Sequence, residues 1–117
     1  MDVKALSSFL EDFYGYKIKR LSLYSNENKV LGILYDSFWL QCSCNNKENK
    51  FEAVIYFGDI NYVISEFFGK IGVCSIDAKK IKKILQIIDD YCRLRLPDKF
   101  LEAHYKAYVL SLYEDYD

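Results

Sequence analysis

The chain has 117 residues, a net charge of −1, and 51% apolar against 28% charged residues, the profile of one ordinary globular domain spanning residues 1–117. Near-neutral charge argues against a general electrostatic attraction to nucleic acid or anionic lipid, and no apolar run approaches the roughly 18 residues that a membrane span needs. Eleven Tyr and eight Phe against one Met and one Pro supply aromatic side chains for the surface as well as the core.

Met1-Asp2-Val3-Lys4 has no basic-then-apolar leader, so a cytoplasmic location is expected, with Cys42, Cys44, Cys74 and Cys92 reduced. Asp2 can cap a first helix whose inward positions Val3, Leu6, Leu10, Phe13 and Tyr14 recur at spacings of three and four, and Gly15 ends it. Tyr16 to Tyr24 reads as a strand whose alternation changes phase between Ile18 and Leu21. A bulge near Lys19 or Arg20 would return Ile18, Leu21 and Leu23 to one face. The polar loop 25–29 turns the chain into a second strand, Val30 to Tyr35, and Asp36-Ser37 makes a tight turn into Phe38.

The stretch from Phe38 to Phe57 is the clearest signal. Phe38, Leu40, Cys42 and Cys44 share one face of an extended segment, and Phe51, Ala53, Ile55 and Phe57 share one face of the next, with a polar loop between. That is a hairpin with one buried side, and the short connections predict a four-stranded antiparallel meander.

Beyond it the period changes. Gly58-Asp59 is read as opening a short helix that carries Ile60, Val63, Ile64, Phe67 and Phe68, broken by Gly69 and Gly72. Val73-Cys74 crosses to the longest helix, capped by Ser75 or Asp77 and burying Ile81, Ile84, Leu85, Ile88 and Cys92. Pro97 separates a last helix with the stripe Leu101, Tyr105, Tyr108 and Leu112. The fold class is therefore α+β: an N-terminal helix, a four-stranded antiparallel meander, then two or three C-terminal helices covering one sheet face. On the other parity, Trp39 and Gln41 face Glu52, Val54 and Tyr56. That face either lies under the first helix or is an interaction surface, where Trp and Tyr are enriched.

Candidates for chemistry are few. His104 is the only histidine, with Phe100 and Tyr108 one turn away on either side, and its nearest acid, Glu102, points elsewhere on the helix. Cys42 and Cys44 sit about 6.6–6.8 Å apart along one strand, a spacing poor for a mutual disulfide and unlike the tight loops of structural zinc sites. The pairs Glu11-Asp12, Asp89-Asp90 and Glu114-Asp115 diverge by about 100° on a helix, so none is a carboxylate dyad. No phosphate loop, dinucleotide fingerprint or nucleophile elbow is present. The sequence thus predicts no catalytic residue, no cofactor and no metal.

Two binding readings follow. Gly69-Lys70-Ile71-Gly72 is a G-x-x-G with Lys79, Lys80 and Lys83 close behind, the alternative being a KH-like module that clamps a nucleic-acid backbone. The leading expectation is a protein partner, met by Trp39 and Tyr56 on the sheet and by Tyr105, Tyr108, Tyr113, Glu114, Asp115, Tyr116 and Asp117 at the end of the chain. Small-molecule ligands and membranes rank below both. In size and composition the chain resembles the small, sequence-diverse bacterial immunity proteins. That resemblance implies a cytoplasmic inhibitor that covers the active site of a toxin such as a nuclease. A phage-encoded inhibitor of a host defence enzyme fits the same makeup.

Overall fold

The computed structural model describes residues 1–57, 60–63 and 72–114. Helix α1 (Val3–Tyr14) begins where Asp2 Oδ1 accepts the Ala5 N–H at 2.8 Å, satisfying a donor that every helix start leaves open. It stops at Gly15, whose φ of +57° suits a residue with no Cβ. A short 3-10 turn (Gly15–Lys17) feeds the first strand.

Strands β1 (Ile18–Tyr24), β2 (Lys29–Leu34), β3 (Phe38–Asn45), β4 (Lys50–Phe57) and β5 (Ile60–Val63) form an antiparallel sheet in chain order. The short β6 (Val73–Cys74) pairs with Phe51 and Glu52, on the same edge of β4 that β5 occupies further along. Helices α2 (Ala78–Arg95) and α3 (Asp98–Glu114) complete the α+β arrangement. The Asp77 side chain caps α2 by accepting the Lys80 N–H, and Arg93 and Arg95 in its last turn suit the negative end of the helix dipole. Leu96 precedes Pro97, whose carbonyl accepts the first N–H groups of α3 from Phe100 and Leu101.

Three expectations change. The meander has five strands plus β6, because Ile60–Val63 pairs with β4 where a helix was expected. Ile64, Phe67 and Phe68 of that expected helix lie outside the described residues. Trp39 and Val54 are not under the first helix: α1 joins α2 on the opposite face, with Tyr14 donating its buried hydroxyl to the Leu85 carbonyl at 2.8 Å. Tyr35 has left β2 and stands in the turn that follows.

One core results. Val30 and Leu34 of β2, Phe38, Leu40, Cys42 and Cys44 of β3, and Phe51, Ala53 and Ile55 of β4 form its floor. Val3, Leu6, Leu10 and Tyr14 of α1 and Ile81, Ile84, Leu85, Ile88 and Cys92 of α2 close it from above. The phase change in β1 is a bulge, as the alternation required. Lys19 pairs with Ile33 and Ser22 with Leu31, so two residues stand opposite Gly32, and Arg20 takes up the extra length with φ +57°.

The bulge folds Ile18 and Leu21 over Gly32, where a Cβ would lie 2.9 Å from a methyl of each. Gly32→Val should therefore destabilise the protein by about 1–3 kcal/mol through overpacking. Arg20→Gly, which releases a side chain from a left-handed backbone position, should move stability the other way. Urea denaturation of the two variants, followed by circular dichroism, checks both signs.

Candidate functional site

The outer sheet face carries a row that crosses four strands in register: Lys19, Ile33, Trp39 and Tyr56. The next row holds Leu31, Gln41 and Val54, and the Tyr56 hydroxyl donates to Gln41 Oε1 at 3.3 Å. Trp39 is 44% exposed, and its aliphatic and aromatic neighbours are half-buried by one another. Both Trp39 and Tyr56, expected from the sequence as contact residues, thus stand side by side. Strand pleating puts them there, because each alternates with a core residue, Leu40 for Trp39 and Ile55 for Tyr56.

At the Lys19 end this row meets the β2–β3 turn. Tyr35 and Asp36 both have φ +53°, and the Ser37 N–H donates to the Leu34 carbonyl, the positive-φ pair that mirror-image hairpin turns need. A tyrosine is a poor choice for that conformation, and three bonds hold it there. Its N–H donates to the Lys17 carbonyl at 2.8 Å, its carbonyl accepts from Ser37 Oγ at 2.9 Å, and its hydroxyl donates to Asp89 Oδ1 at 2.6 Å. Burial, and then the bond to Asp89, push the Tyr35 phenol well above its ordinary pKa. Asp89 is 2% exposed and receives Lys17 Nζ on its other oxygen at 3.2 Å.

Helix α3 docks on this cluster. His104 is buried among the rings of Tyr16, Tyr35 and Phe100, and Tyr108 stacks on Tyr16 with centroids 5.0 Å apart. The Asp36 carboxylate bridges the outer row to the helix: one oxygen lies 3.3 Å from Lys19 Nζ and 3.3 Å from His104 Nε2. The second contact has ion-pair distance but not hydrogen-bond geometry, and among the described residues neither ring nitrogen has a well-formed partner. Burial lowers the His104 pKa, Asp36 draws it up and Lys19 pushes it down, with burial prevailing. An Asp beside a His is the start of an acid–base pair, but the side chains packed on this one are aromatic rings.

Tyr105 is 50% and Tyr113 67% exposed on α3, while Tyr108 is half-buried on Tyr16. Glu114 ends the helix, and Asp115, Tyr116 and Asp117 lie outside the described residues. Of the glycine loop, Gly69 and Lys70 also lie outside them. The Gly72 carbonyl accepts the Ala53 N–H at 2.9 Å, and the chain passes straight into β6. Lys79, Lys80 and Lys83 are exposed on the first turns of α2, with the Lys80 ammonium on Ser75 Oγ.

Burial pushes the thiols of Cys42, Cys44, Cys74 and Cys92 up, away from the reactive thiolate. Among the described residues no three His, Cys, Asp or Glu side chains group to hold a metal ion, and no helix is long and apolar enough to cross a membrane. Open grooves flank the core among the described residues. One, of about 430 Å³, is lined by Phe9, Asp12, Phe13 and Lys82, and a polar one of about 520 Å³ lies between the 26–28 and 43–47 loops.

Sequence reasoning missed Lys17, read Tyr35 only as a strand end and Asp36 only as a turn residue, and saw Asp89 only as half of an acid pair. For Asp89 a signal existed: it follows Leu85 by four residues on the buried arc of α2, and a carboxylate on an apolar arc demands partners. Removing that carboxylate strands both of them. Asp89→Ala should cost about 3–5 kcal/mol and Tyr35→Phe about 1.5–3 kcal/mol in chemical denaturation.

His104 adds a pH dependence. Its folded pKa lies below the ordinary value near 6.5, so between the two values only the unfolded chain binds the proton, and stability rises with pH through that window. The His104 contribution should be complete above about pH 6.5 and decline as pH falls below it. Urea denaturation across this range should show a steeper slope for the wild type than for His104→Gln. Comparison of the chain with protein-family models, with curated proteins and with solved structures finds no match.

Proposed function

We propose that this protein acts by binding another protein, as a stoichiometric inhibitor of the immunity-protein kind, with the outer sheet face as its contact surface. The observation that carries the reading is the cross-strand pair Trp39 and Tyr56 on the sheet face opposite α1 and α2. Large aromatic side chains on a regular strand offer contact area with few torsions left to freeze, which is why Trp and Tyr dominate interface hot spots. Ile33, Leu31 and Val54 extend the apolar centre, and Lys19, Lys29 and Glu52 supply a polar rim.

The end of the chain suits a basic target. Glu114, Asp115 and Asp117 alternate with Tyr113 and Tyr116, and acids beside aromatic rings can stand in for the phosphates and bases that a nuclease channel accepts. The target would be a toxin domain, or a defence enzyme if the inhibitor comes from a phage. The nucleic-acid alternative has less behind it. Gly72 opens a strand, where a KH loop joins two helices, and Asp77 stands at the start of the basic turn.

The decisive experiment pairs the chain with the product of the gene beside its own. Co-expression should restore growth that the neighbour alone abolishes, and calorimetry should give a one-to-one complex. Trp39→Ala and Tyr56→Ala should each weaken that complex by about 30-fold or more, the loss of about 2 kcal/mol expected of a hot spot. A neighbour without toxicity, together with a chain that purifies alone from its native host, would end the inhibitor reading.

A further inference from the structure

We infer that the groove between α1 and α2 is a docking site for an amphipathic helix of another protein, one with acidic residues along a flank of its apolar stripe. The groove holds about 430 Å³ and is lined by Phe9, Asp12 and Phe13 of α1 and by Lys82 of α2. Phe9 and Phe13 pack on the core yet are only half-buried. Residues four apart on a helix lie one above the other, so the two side chains form a continuous apolar strip along α1. The other wall is basic. Lys79 precedes Lys82 by three residues and extends that wall by a turn, exposed as Lys82 is.

The lysines of α2 stand out for having no compensation. On the sheet, Lys19, Lys29 and Lys50 each reach an acid: Asp36, Glu27 and Glu52. Among the described residues no acid lies within ion-pair distance of Lys79, Lys80, Lys82 or Lys83. Their placement is costly as well. All four fall in the first two turns of α2, where the helix dipole disfavours cations, and the pairs 79/82, 79/83 and 80/83 set like charges one turn apart. An anionic partner would relieve both costs.

The surroundings select which anion. Asp12 across the groove and Asp77 at the head of α2 would repel the continuous charge of a nucleic-acid backbone. A bilayer surface is too broad to enter a cleft between two helices, and a small molecule needs a more enclosed pocket. A helix meets every demand. Apolar anchors at i and i+4 seat on Phe9 and Phe13, carboxylates on one flank meet Lys79 and Lys82, and a basic residue on the other flank meets Asp12. Because α1 and α2 cover the sheet face opposite Trp39 and Tyr56, this site is separate from the inhibitor surface and does not rest on that reading.

The probe is a pair of fluorescein-labelled helical peptides that share one leucine stripe, flanked by glutamates in one and by lysines in the other. Anisotropy with the full chain at low salt should give the glutamate peptide a dissociation constant on the order of 10–100 μM, about tenfold tighter than the lysine peptide. The double variant Lys79→Glu with Lys82→Glu should reverse that preference, alanines in place of the leucines should abolish binding, and Trp39→Ala should leave it unchanged. Lys79→Glu alone should make the free protein more resistant to urea at low salt, since a carboxylate suits the first turn, while weakening the glutamate peptide. Circular dichroism confirms that these exposed substitutions keep the fold. Equal binding of the two peptides would overturn the site, as would binding indifferent to the double variant or to loss of the leucines. Tighter binding of phosphatidylserine vesicles or of an oligothymidylate than of the glutamate peptide would overturn it in favour of a membrane or a nucleic acid.

Discussion

A single buried carboxylate governs how the parts of this protein meet. Asp89 is 2% exposed on the inner side of α2, where an unpaired charge would cost several kcal/mol. Its two oxygens are answered by Lys17 from the segment after α1 and by Tyr35 from the β2–β3 turn. Neither partner is near it in sequence, so the carboxylate is satisfied only when α1, the turn and α2 are all in place. Apolar packing alone would tolerate small slides of the helices over the sheet, since burial is not directional. The two bonds to Asp89 and the bond from Tyr14 to the Leu85 carbonyl are directional, and they select one arrangement.

The strained turn follows from the same bond. Tyr35 holds φ +53°, a conformation that costs a side chain about 1–3 kcal/mol and persists because its N–H, carbonyl and hydroxyl are each engaged. Holding Tyr35 there presents its ring to His104 and carries Asp36 to the outer edge, between Lys19 and His104. The docking of α3 is thus two steps removed from Asp89. The aromatic cluster of Tyr16, Tyr35, His104 and Tyr108 forms only on a turn that the carboxylate has already fixed.

Elements with a strong single period were legible in the sequence. The arcs of α1 and α2, the β3–β4 hairpin and the bulge in β1 were all read from spacing, because burial of one face writes a period into the residues. The bulge was legible for a sharper reason: only one extra residue reconciles Ile18 with Leu21 and Leu23. Strand β5 was not, since Ile60 and Val63 fit a helical stripe as well as a strand. The two residues between Phe57 and Ile60 are Gly58 and Asp59, a dipeptide that signals a hairpin and outweighs that ambiguity. Trp39 and Tyr56 could be assigned to one face of the sheet, but not the side on which α1 would pack. Tyr35 and Asp36 were legible only as strand end and turn, and Lys17 not at all, because Asp89 and His104, the partners that give them a role, are 54 to 72 residues away and periodicity carries no information at that range.

The same architecture separates reactive side chains from the exposed surface. The phenol of Tyr35, the carboxylate of Asp89, the imidazole of His104 and the thiols of Cys42 and Cys92 are the groups that chemistry would use, and all are buried. Raised thiol and phenol pKa values and a lowered imidazole pKa keep the thiols, the phenol and the imidazole in their neutral forms near pH 7. Outward go Trp39, Tyr56, Tyr105, Leu110 and Tyr113, large side chains without a strongly acidic, basic or thiol group. The two groups of outward residues also differ in footing. Trp39 and Tyr56 stand on a sheet clamped by Asp89, so their geometry is set before any partner arrives, and little ordering entropy remains to oppose binding. Leu110 and Tyr113 stand further along α3, past the stacking of Tyr108 on Tyr16, and are held by the helix alone.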